Sequence, residues 1–215
     1  MAQTLATSKT MTTMDQVHSR FPIDYATDTH FFPEWKHDLP ALTELEQSQL
    51  SHIQHRFLDH RNRGSLPEGT VDKPIISPLL DLAGLYDSRF TIKTEATVEI
   101  ALEDQGEVLQ GRIDTLILNA QLWVLVIEAK NSTFALSIAL PQLLTYMLSH
   151  LTPGQALFGL VTNGEEFRFV KLEQNAKKIE FDLSDIFSVV PPSRSQLPIV
   201  IQILKSLAQP HANSY

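Results

Sequence analysis

The 215-residue chain contains no cysteine. That one absence excludes disulfide staples, thiolate zinc sites, iron–sulfur clusters and cysteine nucleophiles together. Long apolar runs are missing too. The longest near the centre, Leu122 to Ile127, falls far short of the ~20 residues a membrane helix needs. The stretch from Met1 to Arg20 carries Thr and Ser but no apolar segment of the secretory-signal kind. Basic side chains are scarce, 17 against 25 acidic ones, for a formal charge of -8. A bulk basic footprint for coating nucleic acid is therefore lacking. A site that gathers carboxylates around a metal stays open, because such a site is acidic until its ion arrives. No glycine-rich phosphate loop and no nucleophile elbow occurs, which argues against a helicase motor, a transferase and a small-molecule hydrolase. Together these absences predict a soluble, cytoplasmic protein with no membrane partner.

What is present is enough for a real core. The chain is 43% hydrophobic and 20% charged, and a globular chain of this size buries roughly 70% of the surface its unfolded form exposes. Residues 1–40 read as an N-terminal arm, weakly periodic and rich in Thr, Ser, Asp and Gln at the start. Phe21, Phe31, Phe32 and Trp35 would dock it onto the core. The domain proper spans 41–215, with its centre at about 74–190. Leu42, Leu45, Leu50, Ile53, Phe57 and Leu58 fall at helical spacing between 41 and 60. A second short helix is predicted over 74–82, closed by Gly84. Strands follow at 90–102, 108–118 and 122–130, the last almost wholly apolar until its end, as suits a strand buried on both faces. A helix starts at Ser137 or Pro141 and runs to His150. A hairpin of 156–161 and 166–172 turns on Asn163-Gly164. An edge strand at 178–183 and a closing helix at 197–207 complete an α/β sandwich, a mixed β-sheet flanked by helices.

Charges stand where a fold does not want them. Asp114 interrupts Arg112-Ile113-Asp114-Thr115-Leu116-Ile117-Leu118, and Glu128 and Lys130 end the apolar run from Leu122. Such charges are costly unless paired or bound to metal. Alternation puts Glu128 and Lys130 on one face. With Leu118 opposite Leu122, position 114 faces 126 and 112 faces 128, making Asp114 a same-face diagonal neighbour of Glu128. A slip of one residue would separate them. Two carboxylates and a lysine on one sheet face suit Mg²⁺-assisted phosphodiester hydrolysis, with the lysine orienting water or stabilising charge. Gln142 and Tyr146, four apart, share one face of the next helix. Pro141 suits a first helical position, whose free N–H groups, with Gln142, would meet a phosphate.

In order and spacing, Pro78-Leu79-Leu80, Gly111-Arg112-Ile113-Asp114, Glu128-Ala129-Lys130, Gln142-Leu143-Leu144-Thr145-Tyr146 and Thr162-Asn163-Gly164 resemble the PD-(D/E)XK nuclease superfamily. The resemblance is to the branch with a Gln-x-x-x-Tyr motif, which includes RecB-type nucleases and the N-terminal nuclease domain of type I restriction enzyme R subunits. It covers roughly residues 74–175. It implies a restriction-endonuclease-like fold that acts on DNA. Asp114 and Glu128 would bind Mg²⁺, with Mn²⁺ as the alternative. Lys130 would be catalytic, and Gln142 and Tyr146 would support the site or touch DNA. Ile113 replaces the proline of the superfamily's name. The family often adds a further acidic residue; Glu44, Glu46, Glu95 and Glu99 compete for that role, with Glu46 preferred on the helix and Glu95 on the strand. Without a motor, the expectation is a solitary nuclease domain, and cutting both strands of a duplex would favour a homodimer.

Blander readings stand beside these. Asp114, Glu128 and Lys130 also fit a structural ion-pair network, and Gln142 and Tyr146 a satisfied polar pair. His52, His55 and His60 with Arg56, Arg61 and Arg63 make one helix end basic. Such a cluster more often complements the helix dipole in solvent than meets a nucleic-acid backbone. The alternative function is a catalytically silent relative, binding nucleic acid or protein.

Overall fold

The computed structural model describes residues 3–6, 11–64, 66–67, 71–102, 107–119, 122–129, 135–175 and 178–209. Its elements are β1 (Gln3–Ala6), α1 (Met14–Arg20), β2 (Ile23–Tyr25), α2 (Glu44–Arg61), α3 (Ser77–Leu82), β3 (Phe90–Leu102), β4 (Glu107–Asn119), β5 (Leu122–Ala129), α4 (Leu136–Leu148), β6 (Ala156–Thr162), β7 (Glu166–Asn175), β8 (Lys178–Leu183), β9 (Phe187–Ser188) and α5 (Leu197–Ala208). A π-helical turn, Asp72–Ile76, leads into α3.

One mixed sheet runs β1-β4-β5-β6-β7-β8-β2, with β3 also on β4 and β9 also on β7. Two apolar clusters sandwich it. Leu50, Ile53 and Phe57 of α2, Leu79 and Leu80 of α3, and Val200, Ile203 and Leu204 of α5 pack on one face. Val17 of α1 and Leu140, Leu143, Leu144 and Met147 of α4 pack on the other. The α4 crossover joins parallel strands β5 and β6. It lies against the sheet because Gly159 has no side chain: a Cβ there would sit 2.8 Å from both Leu143 Cδ2 and Met147 Sδ.

The N-terminal segment adds two short strands to the sheet. Its β1 joins β4 in parallel at one side of the sheet, and β2 joins β8 in parallel at the other. Between them Met11, Val17 and Ile23 are buried. Strands of three and four residues carry little propensity alone; preformed sheet edges supply their hydrogen bonds, and that context is not local in sequence. The aromatic docking holds, split between the faces. Phe32 packs on Phe158 and Trp35 on Phe187, each with centroids 6.0 Å apart, whereas Phe21 packs with the α4 cluster.

The edges of β4 decide where a site can form. β3 lines one edge throughout, from Phe90 opposite Asn119 to Leu102 opposite Glu107. The other edge is divided, with β1 on residues 107–110 and β5 on residues 115–119. Residues 111–114 fall between those two partners. There the Tyr146 hydroxyl, on a fully buried ring, accepts a hydrogen bond from the Arg112 backbone N–H at 3.1 Å. It also accepts one from Gln142 Nε2 at 2.8 Å.

Helix α2 begins with a capping box, in which Thr43 Oγ1 accepts from the Glu46 N–H and the Glu46 carboxylate accepts from the Thr43 N–H at 2.7 Å. The same carboxylate pairs with Lys205 of α5. The lysine first, then the Thr43 N–H, hold Glu46 down from the usual 4.5 to about 2.

Two outcomes follow. A depressed carboxylate stabilises the fold above its ordinary range and loses that contribution as pH falls. Glu46→Gln should therefore cost about 1 kcal/mol near neutrality, with the gap from wild type closing between pH 4.5 and about 2 in urea unfolding followed across pH. Tyr146→Phe leaves a backbone N–H and the Gln142 amide without their acceptor, and should lower unfolding free energy by about 2 kcal/mol in the same assay at pH 7.

Candidate functional site

The β4–β5 hairpin differs from its expected register. Next to the turn Asn119 faces Leu122 and Leu118 faces Trp123. After a bulge, Ile117 faces Leu125, Leu116 faces Val126 and Thr115 faces Ile127. Val124 is the extra residue. At the turn the pairing is thus one residue away from Leu118 opposite Leu122, and the bulge adds a second step. Two shifts of one restore parity. The described ladder stops at Thr115 and Ile127, and positions 114 and 128 are the next on their strands. Val126 pairs with Leu116, so position 114 does not face 126 as the expected register had it. On its far edge β5 runs parallel to β6, with Glu128 beside Val161 and Ala129 beside Thr162.

Asp114, half-buried, stands where β4 is loosened on both sides. Toward β3, pairing passes from Thr94–Thr115 to Ala96–Ile113 and skips Glu95–Asp114. Glu95 adopts φ 52°, a left-handed conformation that costs a non-glycine residue about 1 kcal/mol or more. Its carboxylate lies 3.6 Å from Arg112 Nη2, on side chains that are both largely exposed. Strain of this sort persists only where surroundings over-determine it, and it clusters at functional sites. Nothing in the local sequence signals it, because Glu has no left-handed preference of its own.

Gln142 and Tyr146 are brought to the same place by α4, but not through its first turn. The helix begins at Leu136 and contains Pro141 in its interior. Pro141 is therefore not a first helical residue, and Gln142 does not stand among the free N–H groups of a helix start. An apolar run entering the core extends the helix backwards to Leu136; Pro141 only removes one interior donor. The Thr145 hydroxyl donates to the Pro141 carbonyl at 2.7 Å. Gln142 is buried and reaches the Arg112 backbone through the Tyr146 hydroxyl.

The acidic candidates separate. Glu46 is held by Thr43 and Lys205 at the start of α2 and belongs to the helix cap. Glu99 accepts from Gln110 Nε2 at 3.0 Å farther along the β3–β4 pair. Glu44 opens α2. Glu95 is the one whose strand register puts it across from Asp114. Lys130 and the side chain of Glu128 lie outside the described residues. Among the described side chains no group of three or more His, Asp or Glu could hold a metal ion, and no helix is long and apolar enough to cross a membrane.

No curated protein sequence matches the chain. Among solved structures it is similar to a fragment described as an HsdR subunit of a type I restriction enzyme from Vibrio vulnificus YJ016, with 19% identity and a TM-score of 0.39. The match covers 64% of this chain and 26% of that one, so this chain spans about a quarter of that relative. The family model for the type I restriction enzyme R protein N terminus (HSDR_N) matches residues 39–178, which takes in β3, β4, β5, α4 and the Asn163-Gly164 turn. The chain belongs to the family of type I restriction enzyme R protein N-terminal domains.

Proposed function

We propose that this domain hydrolyses DNA phosphodiester bonds with the help of a divalent metal ion, Mg²⁺ or Mn²⁺. The observation that carries the proposal is the placement of Asp114 in the stretch of β4 between its β1 and β5 pairings, next to the Thr115–Ile127 pair that precedes Glu128 on β5. The Gln142–Tyr146 pair is bonded to the backbone two residues away.

Asp114 and Glu128 would present hard oxygen ligands from neighbouring strands. When bound, the ion lowers the pKa of a coordinated water and neutralises charge on the scissile phosphate. Lys130 follows Glu128 by two residues, the spacing that returns a strand side chain to the same face. Its ammonium would orient the attacking water with three donors. Glu95 supplies a further carboxylate across from Asp114, and Arg112 would release it as cation and phosphate enter. Tyr146 acts through the backbone: by holding the Arg112 N–H it sets the strand path one residue before Ile113 and two before Asp114. Gln142 fixes the tyrosine hydroxyl in turn. Both are positioning residues.

A second reading, a silent module that binds nucleic acid or protein, is favoured by the net charge of -8. Incubating the purified protein with plasmid and single-stranded DNA plus Mg²⁺ or Mn²⁺ separates the two. The nuclease cuts only with metal, and Asp114→Ala and Lys130→Ala each reduce cutting by at least about a hundredfold. A folded wild type that leaves DNA intact, with no metal-induced thermal shift that Asp114→Ala abolishes, would establish the silent module instead.

A further inference from the structure

Helix α2 carries His52, Arg56 and His60. A spacing of four puts them on one face, over about 12 Å of helix axis. Lys73, from the π-helical turn before α3, stands against the same face. Arg56, His60, Lys73 and Pro74 line a cavity of about 310 Å³. His52 and Arg56 help to line a second cavity of about 630 Å³ between α2 and α3. Arg56 borders both, so the two form one groove.

His52, Arg56, His60 and Lys73 are all exposed, and among the described residues none makes an ion pair or a side-chain hydrogen bond. Other cations are paired: Arg61 with Glu165, Lys171 with Glu34, Lys178 with Glu180 and Lys205 with Glu46. The acidic groups nearby are few or engaged. Glu46 pairs with Lys205, Asp72 accepts from the Ser77 hydroxyl, and Asp59, three residues after Arg56, pairs with His55. Asp81 alone enters the larger cavity unpaired among the described residues. Carboxylates are thus close by, yet among the described residues none is paired with any of the four donors. A solvated helix end needs no such grouping across two separate elements.

Its place in the fold gives it direction. The C-terminal end of α2 is fastened to the β6–β7 turn. Arg61 Nε and Nη2 donate to Glu165 at 2.7 and 3.0 Å. Gly164, at φ 85°, lies so close that a Cβ would meet Phe57 Cε2 and Val71 Cγ1 at 2.9 Å. That turn begins two residues after Val161, the neighbour of position 128 in the sheet, or about 7 Å farther along the strand. The groove therefore opens at the end of the sheet that carries Glu128.

We propose that the groove formed by His52, Arg56, His60 and Lys73 holds the phosphate backbone of duplex DNA flanking the candidate site. Its length matches three or four phosphates of one strand at 3.4 Å axial spacing. The inference rests on DNA being the substrate, and it adds where the duplex lies.

Binding measured without metal keeps it separate from cleavage. The full chain is titrated against a short fluorescein-labelled duplex in EDTA, by anisotropy, between about 50 and 200 mM NaCl. Arg56→Gln with Lys73→Gln should weaken binding roughly tenfold per cation removed and flatten the log K against log salt slope by about 0.9 for each. Arg194→Gln, on a 3₁₀ turn away from the groove, should change neither, and circular dichroism should show all variants folded. The proposal is overturned if the double variant keeps the wild-type affinity and slope, or if the wild type does not bind the duplex at all. A wild type that binds through the groove yet never cuts with Mg²⁺ removes the nuclease reading and upholds the groove. Cutting that is indifferent to the double variant removes the groove alone.

Discussion

Three strands compete for the two edges of β4, and the rest of the structure is arranged around the stretch that none of them covers on one side. Pairing with β1 ends at Gln110 and pairing with β5 begins at Thr115, which leaves the backbone of Gly111-Arg112-Ile113-Asp114 between the two, beside a buried helix. An unpaired N–H in such a place costs as much as a lost hydrogen bond. The Tyr146 hydroxyl removes that cost at Arg112. To do so the ring must be fully buried, which needs α4 pressed close to β6, and that in turn needs the bare backbone of Gly159. One phenol oxygen thus links the gap in the sheet, the crossover helix and the glycine beneath it.

The same arrangement explains why charge is tolerated here. Asp114 lies in a region where cross-strand pairing lapses on both edges, so its carboxylate is half-buried rather than sealed in a dry layer. Across from it Glu95 takes a left-handed backbone conformation, and Arg112 compensates its charge at the surface. Carboxylates elsewhere have ordinary structural duties. Glu46 closes a helix cap and pins α2 to α5, and Glu165 ties α2 to the turn beyond β6. Acidity by itself did not separate these roles; strand register did.

Much of this was legible locally. Alternation and apolar runs marked the long strands, helical spacing marked α2, and Asn163-Gly164 marked the turn between β6 and β7, because each reflects short-range sterics and burial. The pairing of Gln142 with Tyr146 followed from a separation of four on one helix. Other features had no local signal. β1 and β2 exist because distant strands offer edges to them. The bulge at Val124 leaves no composition mark, yet it and the one-residue offset at the turn together shift the β4–β5 register by two and restore its parity. Pro141 pointed to a helix start, but burial of Leu136, Ala139 and Leu140 carried the helix back by five residues.

The sequence by itself determined the chemistry on offer: two carboxylates and a lysine at the ends of apolar strands, a glutamine and a tyrosine one helical turn apart, no thiols and no phosphate loop. Residue type and short spacing are sufficient for that, since charge, pKa class and helix or strand periodicity are local properties. The tertiary structure alone decided which of the competing acids faces Asp114, where the tyrosine hydroxyl ends, and how a basic face of α2 meets Lys73. Those depend on register and on packing between segments far apart in the chain. A shift of a single residue reverses a face there at little local cost, so only the closed core holds one arrangement against the others.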